Sequence, residues 1–157
     1  MSDRWQSTMI AHGALVFLVG MVAGFPFAFA ILQKVALWPL PAVDWAPPGD
    51  VRAWRMAHLE GILNGLVLIA VAAGGRRMVL TARAEAWVGW GLIVTAWGNI
   101  VASVIGPVFG VRGLELGDGF SNTLMYLLFV VAIVAVMVAM SLVARGAFAA
   151  ARAAARP

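Results

Sequence analysis

The chain has 157 residues, 63% of them hydrophobic and 11% charged, with a mean hydropathy of +0.95. Soluble domains are about 45–50% apolar and about 25% charged, so this composition excludes a soluble fold and specifies an integral membrane protein. The net charge of +4 rests on arginines at segment ends, which excludes a nucleic-acid-binding stripe, and the lack of cysteine excludes disulfides, iron–sulfur clusters, thiolate-ligated haem and cysteine nucleophiles.

The first apolar segment runs from about Thr8 to about Trp38. Arg4 precedes it, and Ala28-Phe29-Ala30 resembles a signal-peptide cleavage site. The run is longer than the ~7–15-residue core of a signal peptide, however, and more spans follow, so a retained helix bent at Pro26 is expected. Gly20 and Gly24 form a G-x-x-x-G packing face, and His12 is expected to bond a neighbouring helix. Pro39, Pro41, Pro47 and Pro48 then forbid a continuous helix, giving a first loop with Trp38, Trp45 and Trp54 suited to the headgroup belt.

Asp50 is placed to cap the second helix, expected over about 51–73 and stopped by Gly74-Gly75. Arg76, Arg77 and Arg83 make a basic loop, a third helix is expected over about 85–108, and a fourth over about 120–147, continued by the tail as a weakly amphipathic or frayed helix. The fold class is therefore all-α, an integral membrane four-helix bundle forming one membrane domain. Seven arginines (Arg4, Arg76, Arg77, Arg83, Arg145, Arg152, Arg156) fall on the side of the termini against three (Arg52, Arg55, Arg112) opposite. That bias places both termini in the cytoplasm. The Ala, Arg, Gly and Val content suggests a bacterial source, hence the inner membrane.

Function concentrates in Arg52–Gly65, which sets His58, Glu60 and Asn64 into an apolar span where ionisable groups are expensive and mark sites. With His58 at 0° on the helical wheel, Gly65 falls near about −20°, Gly61 near about −60°, Asn64 near about −120° and Glu60 near about −160°. Gly61 and Gly65 leave bare backbone beside the histidine, open either to a partner helix or to a flat cofactor. Thr95, Asn99 and Ser103 recur at helical spacing on the third helix, as do Asp118, Asn122 and Tyr126 around the start of the fourth. Three helices thus bring polar groups to one level of the membrane. Two histidines are too few for zinc, and the spans lack the carboxylate string of a proton path. A haem needs one strong protein ligand, His58, and Arg52, Arg55 or Arg112 could pair its propionates.

Ala11-His12-Gly13, the Trp54, Ala57, His58 and Leu63-Asn64-Gly65 series, Trp97 with Asn99, and Arg112-Gly113-Leu114 occur in an order and spacing that resembles the bacterial styrene-oxide isomerases. The resemblance implies a homotrimeric four-helix membrane protein holding haem b, with His58 the axial ligand and Asn64 in the substrate pocket. It also implies a Meinwald rearrangement of a small hydrophobic epoxide to an aldehyde, with ferric haem as Lewis acid and no net redox. Where that family carries a tyrosine and an aspartate on the third helix, this chain has Ser103 and Thr95, which removes a phenol donor and adds space. Tyr126, the single tyrosine, could reach the same cavity or sit at the membrane interface; Asn99 could line the pocket or bond across helices. Two other readings stand beside the enzyme: a non-catalytic haem protein for sensing or electron transfer, and a cofactor-free assembly partner.

Overall fold

The computed structural model describes residues 1–117 and 119–155, so the expectations for Asp118 and Arg156 lie outside the described residues. The chain is all-α: α1 spans Asp3–Leu32, α2 Val51–Gly74, α3 Ala82–Phe109 and α4 Phe120–Ala154, with a short 3₁₀ turn at Gly75–Arg77. Each helix is long and apolar enough to cross a membrane, which makes this a multi-pass membrane protein.

The ends follow local chemistry. Asp50 accepts the Ala53 amide at 2.7 Å and Thr81 caps α3 through the Ala84 amide at 3.2 Å, so α3 starts a turn earlier than the sequence suggested. Gly110 closes α3 in the left-handed conformation at φ 67°. The first helix differs at both ends. It begins at Asp3, where Trp5 lies over the bare Gly89 of α3 and meets Trp90 edge-on at 5.8 Å. It ends at Leu32, well before Trp38, because Gln33 turns to φ 55°. Pro26 is accommodated within the helix. At the other end of the chain the tail, expected as a weakly amphipathic or frayed helix, continues α4 to Ala154.

Backbone-close packing organises the bundle. α1 and α2 meet glycine to glycine: a Cβ on Gly20 would lie 2.7 Å from the Ile62 nitrogen, and one on Gly65 would lie 2.7 Å from the Gly13 oxygen. The same economy joins α3 to α4, where Gly91 faces Ala135 and Ala139, and Gly98 faces Leu128 and Ala132. Small residues permit this approach, and dispersion between the backbones holds it in lipid, where helix burial gains little hydrophobic free energy. α3 packs against α1, α2 and α4 and supplies much of the core through Val88, Leu92, Ile93, Ala96 and Ile100. α4 leans chiefly on α3 and presents Val131, Ile133, Val134 and Met137 outward. Trp54 departs from expectation: it is 6% exposed and donates its indole N–H to the Pro48 carbonyl at 2.7 Å, which ties down the first loop instead of joining a headgroup belt. Trp38 and Trp45 are exposed.

Candidate active site

The half-buried His58 stands on the side of α2 that faces α1. Its Nδ1 lies 2.8 Å from the Gly20 carbonyl oxygen, its ring edge rests on Gly24, and Phe27 stacks on it with centroids 6.0 Å apart and planes at 28°. A carbonyl only accepts, so Nδ1 carries the hydrogen and the Nε2 lone pair remains for a ligand. This is the arrangement by which protein carbonyls orient metal-binding imidazoles. His12 is set the opposite way. Trp97 Nε1, a donor, reaches His12 Nδ1 at 3.1 Å, so the one lone pair of that neutral ring is already used. His12 thus bonds a neighbouring helix, as the sequence suggested.

Gly61 and Gly65 do not flank open space. Gly61 meets Gly20 and Gly65 meets Gly13, so the room beside the histidine that a cofactor plane could have used is filled by α1. Of the two readings open for these glycines, helix packing is the one that their contacts with α1 fit.

Asn64 lies on another face of α2, toward α3. Its amide nitrogen donates to the Glu60 carbonyl at 2.9 Å and to Glu60 Oε2 at 2.7 Å, while Asn99 Nδ2 approaches its oxygen at 3.4 Å. A carboxylate beside the amide fixes which end is nitrogen. Glu60, Asn64 and Asn99 thus form one chain of polar groups across the α2–α3 contact.

On the same side of α2 a half-open cleft of about 230 Å³ enters between α2, α3 and α4. Met56, Ser103, Pro107, Met125 and Phe129 wall it, and Arg52, Arg112 and Asp50 border it. Ser103 is 3% exposed, and its hydroxyl has no hydrogen-bond partner among the described residues. A buried hydroxyl without a partner costs about 1–3 kcal/mol and asks for one. Met56 and Ala53 lie about 160° and about 140° around α2 from His58 at 100° per residue. Within one chain, therefore, the imidazole and the cleft occupy opposite faces. Arg55, about 60° from His58, is on the histidine side, whereas Arg52 and Arg112 belong to the cleft.

The remaining polar residues separate from this group. Thr95 Oγ1 donates to Gly91 and Ala132 carbonyls at 2.8 and 3.0 Å, so it faces α4 and not the α2–α3 contact. Asn122 binds the preceding loop through the Gly113 amide at 2.9 Å and the Glu115 and Gly117 carbonyls at 2.9 and 3.0 Å. Tyr126 is half-buried but lies outside the cleft wall, to which α4 contributes Met125 and Phe129. The expected single polar level is thus resolved into an α2–α3 chain, a cleft hydroxyl and two structural bonds. Sequence reasoning overlooked Gly20, Gly24 and Phe27 as the setting of His58. The paired small-residue motifs were the available signal, because docking them antiparallel brings the Gly20 carbonyl beside that ring.

Among the described residues no three His, Cys, Asp or Glu side chains converge on a metal position. His58 can therefore serve a metal whose other ligands arrive with it, and a porphyrin meets that condition. A small helical membrane bundle that presents one oriented imidazole, with an apolar cleft and an amide chain across the same helix, is built as a membrane-embedded enzyme. Its class is confirmed by comparison: residues 5–148 match the family model of styrene oxide isomerase. The chain belongs to that family, a family of epoxide isomerases generally known as haem enzymes. No curated protein matches it.

Proposed function

We propose that the protein is a haem-b-dependent isomerase that converts a small hydrophobic epoxide of the styrene-oxide kind to an aldehyde by Meinwald rearrangement. The observation that carries this reading is the His58–Gly20 hydrogen bond, which leaves Nε2 of an oriented, half-buried imidazole as the atom that would hold the haem iron. Ferric haem, when bound, supplies a Lewis acid toward the epoxide oxygen. Phe27 and Gly24 hold the imidazole in its plane, and the Gly20 carbonyl fixes its tautomer. Met56, Met125 and Phe129 give the cleft an apolar wall that keeps water from a developing cation. Asn64 and Asn99 offer amide groups at the α2–α3 contact, and Ser103 offers the one buried hydroxyl on the cleft wall.

Because His58 and the cleft lie on opposite faces of α2, a site that uses both takes them from different copies of the chain. The homotrimer implied by the family resemblance supplies those copies. Arg55 on the histidine's side, and Arg52 and Arg112 at the cleft, are the cations that would pair haem propionates. Both termini are cytoplasmic in this reading, in a bacterial inner membrane.

The test is an absorption spectrum of the purified protein, oxidised and reduced, with styrene oxide added and phenylacetaldehyde assayed in the same cuvette. A Soret band with aldehyde formation is expected. A Soret band with no aldehyde from any aryl or alkyl epoxide would move the chain to the non-catalytic haem reading, and no band would leave only the packing role.

A further inference from the structure

At the opposite end of the bundle a second, shallower groove opens between the start of α3, the preceding loop and the last turns of α4, with a volume of about 480 Å³. Arg83 stands on one wall and Arg145 and Arg152 on the other, over a floor of Leu80, Trp87 and Leu142. No acidic side chain lines it, and none of the three arginines pairs with a carboxylate among the described residues. The groove is built into the fold: Gly146 lets the loop approach so closely that a Cβ there would lie 2.7 Å from Leu80 Cδ2, and the Val79 amide donates to the Gly146 carbonyl at 3.2 Å.

Three unpaired guanidinium groups facing one space select an anion, and guanidinium geometry suits phosphate. The setting selects its source. Trp87 and Trp90 are 56% and 57% exposed one turn apart on α3, the position of interfacial tryptophans, so the groove lies at headgroup depth. From there its apolar floor runs toward the membrane between α3 and α4. We propose that this groove binds the phosphate headgroup of an anionic phospholipid, with one acyl chain laid against Trp87 and Leu142. Basic pockets between helices at an interface are suited to such lipids.

The site is separate from His58, and the inference stands whether or not the haem reading does. Its test is native mass spectrometry of the full-length protein in mild detergent, titrated with phosphatidylglycerol. One lipid per protomer is expected, held at least tenfold tighter than phosphatidylcholine. Arg145→Gln and Arg83→Gln should each weaken binding about fivefold, the equivalent of about 1 kcal/mol per interfacial arginine. Arg145→Lys should recover part of the loss. Arg4→Gln removes the same charge at the same end but outside the groove and should change nothing. Equal retention of phosphatidylcholine, or an Arg4→Gln effect as large as that of Arg145→Gln, overturns the proposal. Glycerol phosphate competing as tightly as the lipid also overturns it, by showing a site for a free anion.

Discussion

His58 donates its Nδ1 hydrogen to the Gly20 carbonyl across the α1–α2 contact at 2.8 Å, and that one bond joins helix packing to chemistry. The carbonyl can lie there because Gly20 and Gly61 bring the two backbones together. Replacing His58 by Ala removes the only imidazole with a free lone pair while leaving the glycine contact intact. The expected result is complete loss of the Soret band with helical circular dichroism unchanged, and partial recovery on adding free imidazole. Retention of haem by the variant would remove His58 as the ligand.

The same contact predicts a stability effect independent of any cofactor. Gly20→Val must push α1 from α2, since even a Cβ would meet Ile62 N at 2.7 Å and the Gly61 backbone at 2.8 Å. Overpacking of this kind costs about 1–3 kcal/mol. Thermal unfolding in detergent should fall accordingly, and haem retention with it. Gly74→Ala is the matched control: its Cβ would meet nothing within 4 Å and its φ is −77°, so it should be neutral or stabilising by about 0.4–1 kcal/mol.

Much of this was legible in the chain. Hydropathy marked four spans, Asp50 announced a cap, and the small-residue motifs announced packing faces, because each depends on local spacing. What was not legible is which helix stands opposite which face. Thr95, Asn99 and Ser103 read as one stripe, yet steps of four residues advance about 40° each, so the row turns about 80° from end to end. That drift is enough to deliver Thr95 to α4, Asn99 to α2 and Ser103 to the cleft. The 55° φ of Gln33, which ends α1 early, has no glycine to signal it.

Asn64 should behave differently from His58. Asn64→Ala removes the donor to Glu60 and the acceptor for Asn99 but leaves the α1 side of α2 untouched. Haem content should stay at the wild-type level. If this polar chain positions the substrate, loss of this amide should lower kcat/KM about tenfold, the equivalent of about 1.4 kcal/mol of transition-state stabilisation. Unchanged turnover would make the Glu60–Asn64–Asn99 chain purely structural.

Ser103 and Thr95 make the sharpest contrast, since both hydroxyls are buried and they differ only in what they touch. Thr95→Val deletes bonds to two carbonyls on α3 and α4, and it should cost about 0.5–1.5 kcal/mol of stability with kcat and KM unchanged. Ser103→Ala deletes a hydroxyl that bonds nothing among the described residues. It should therefore hold or raise the unfolding temperature, because the desolvation cost of that group disappears. If the cleft receives the epoxide, Ser103→Ala should also raise KM several-fold at constant haem content. The pair is to be measured together, by thermal unfolding and by steady-state kinetics on the same preparations. A kinetic defect in Thr95→Val with none in Ser103→Ala would reverse the assignment and place the reacting surface on the α4 side of α3.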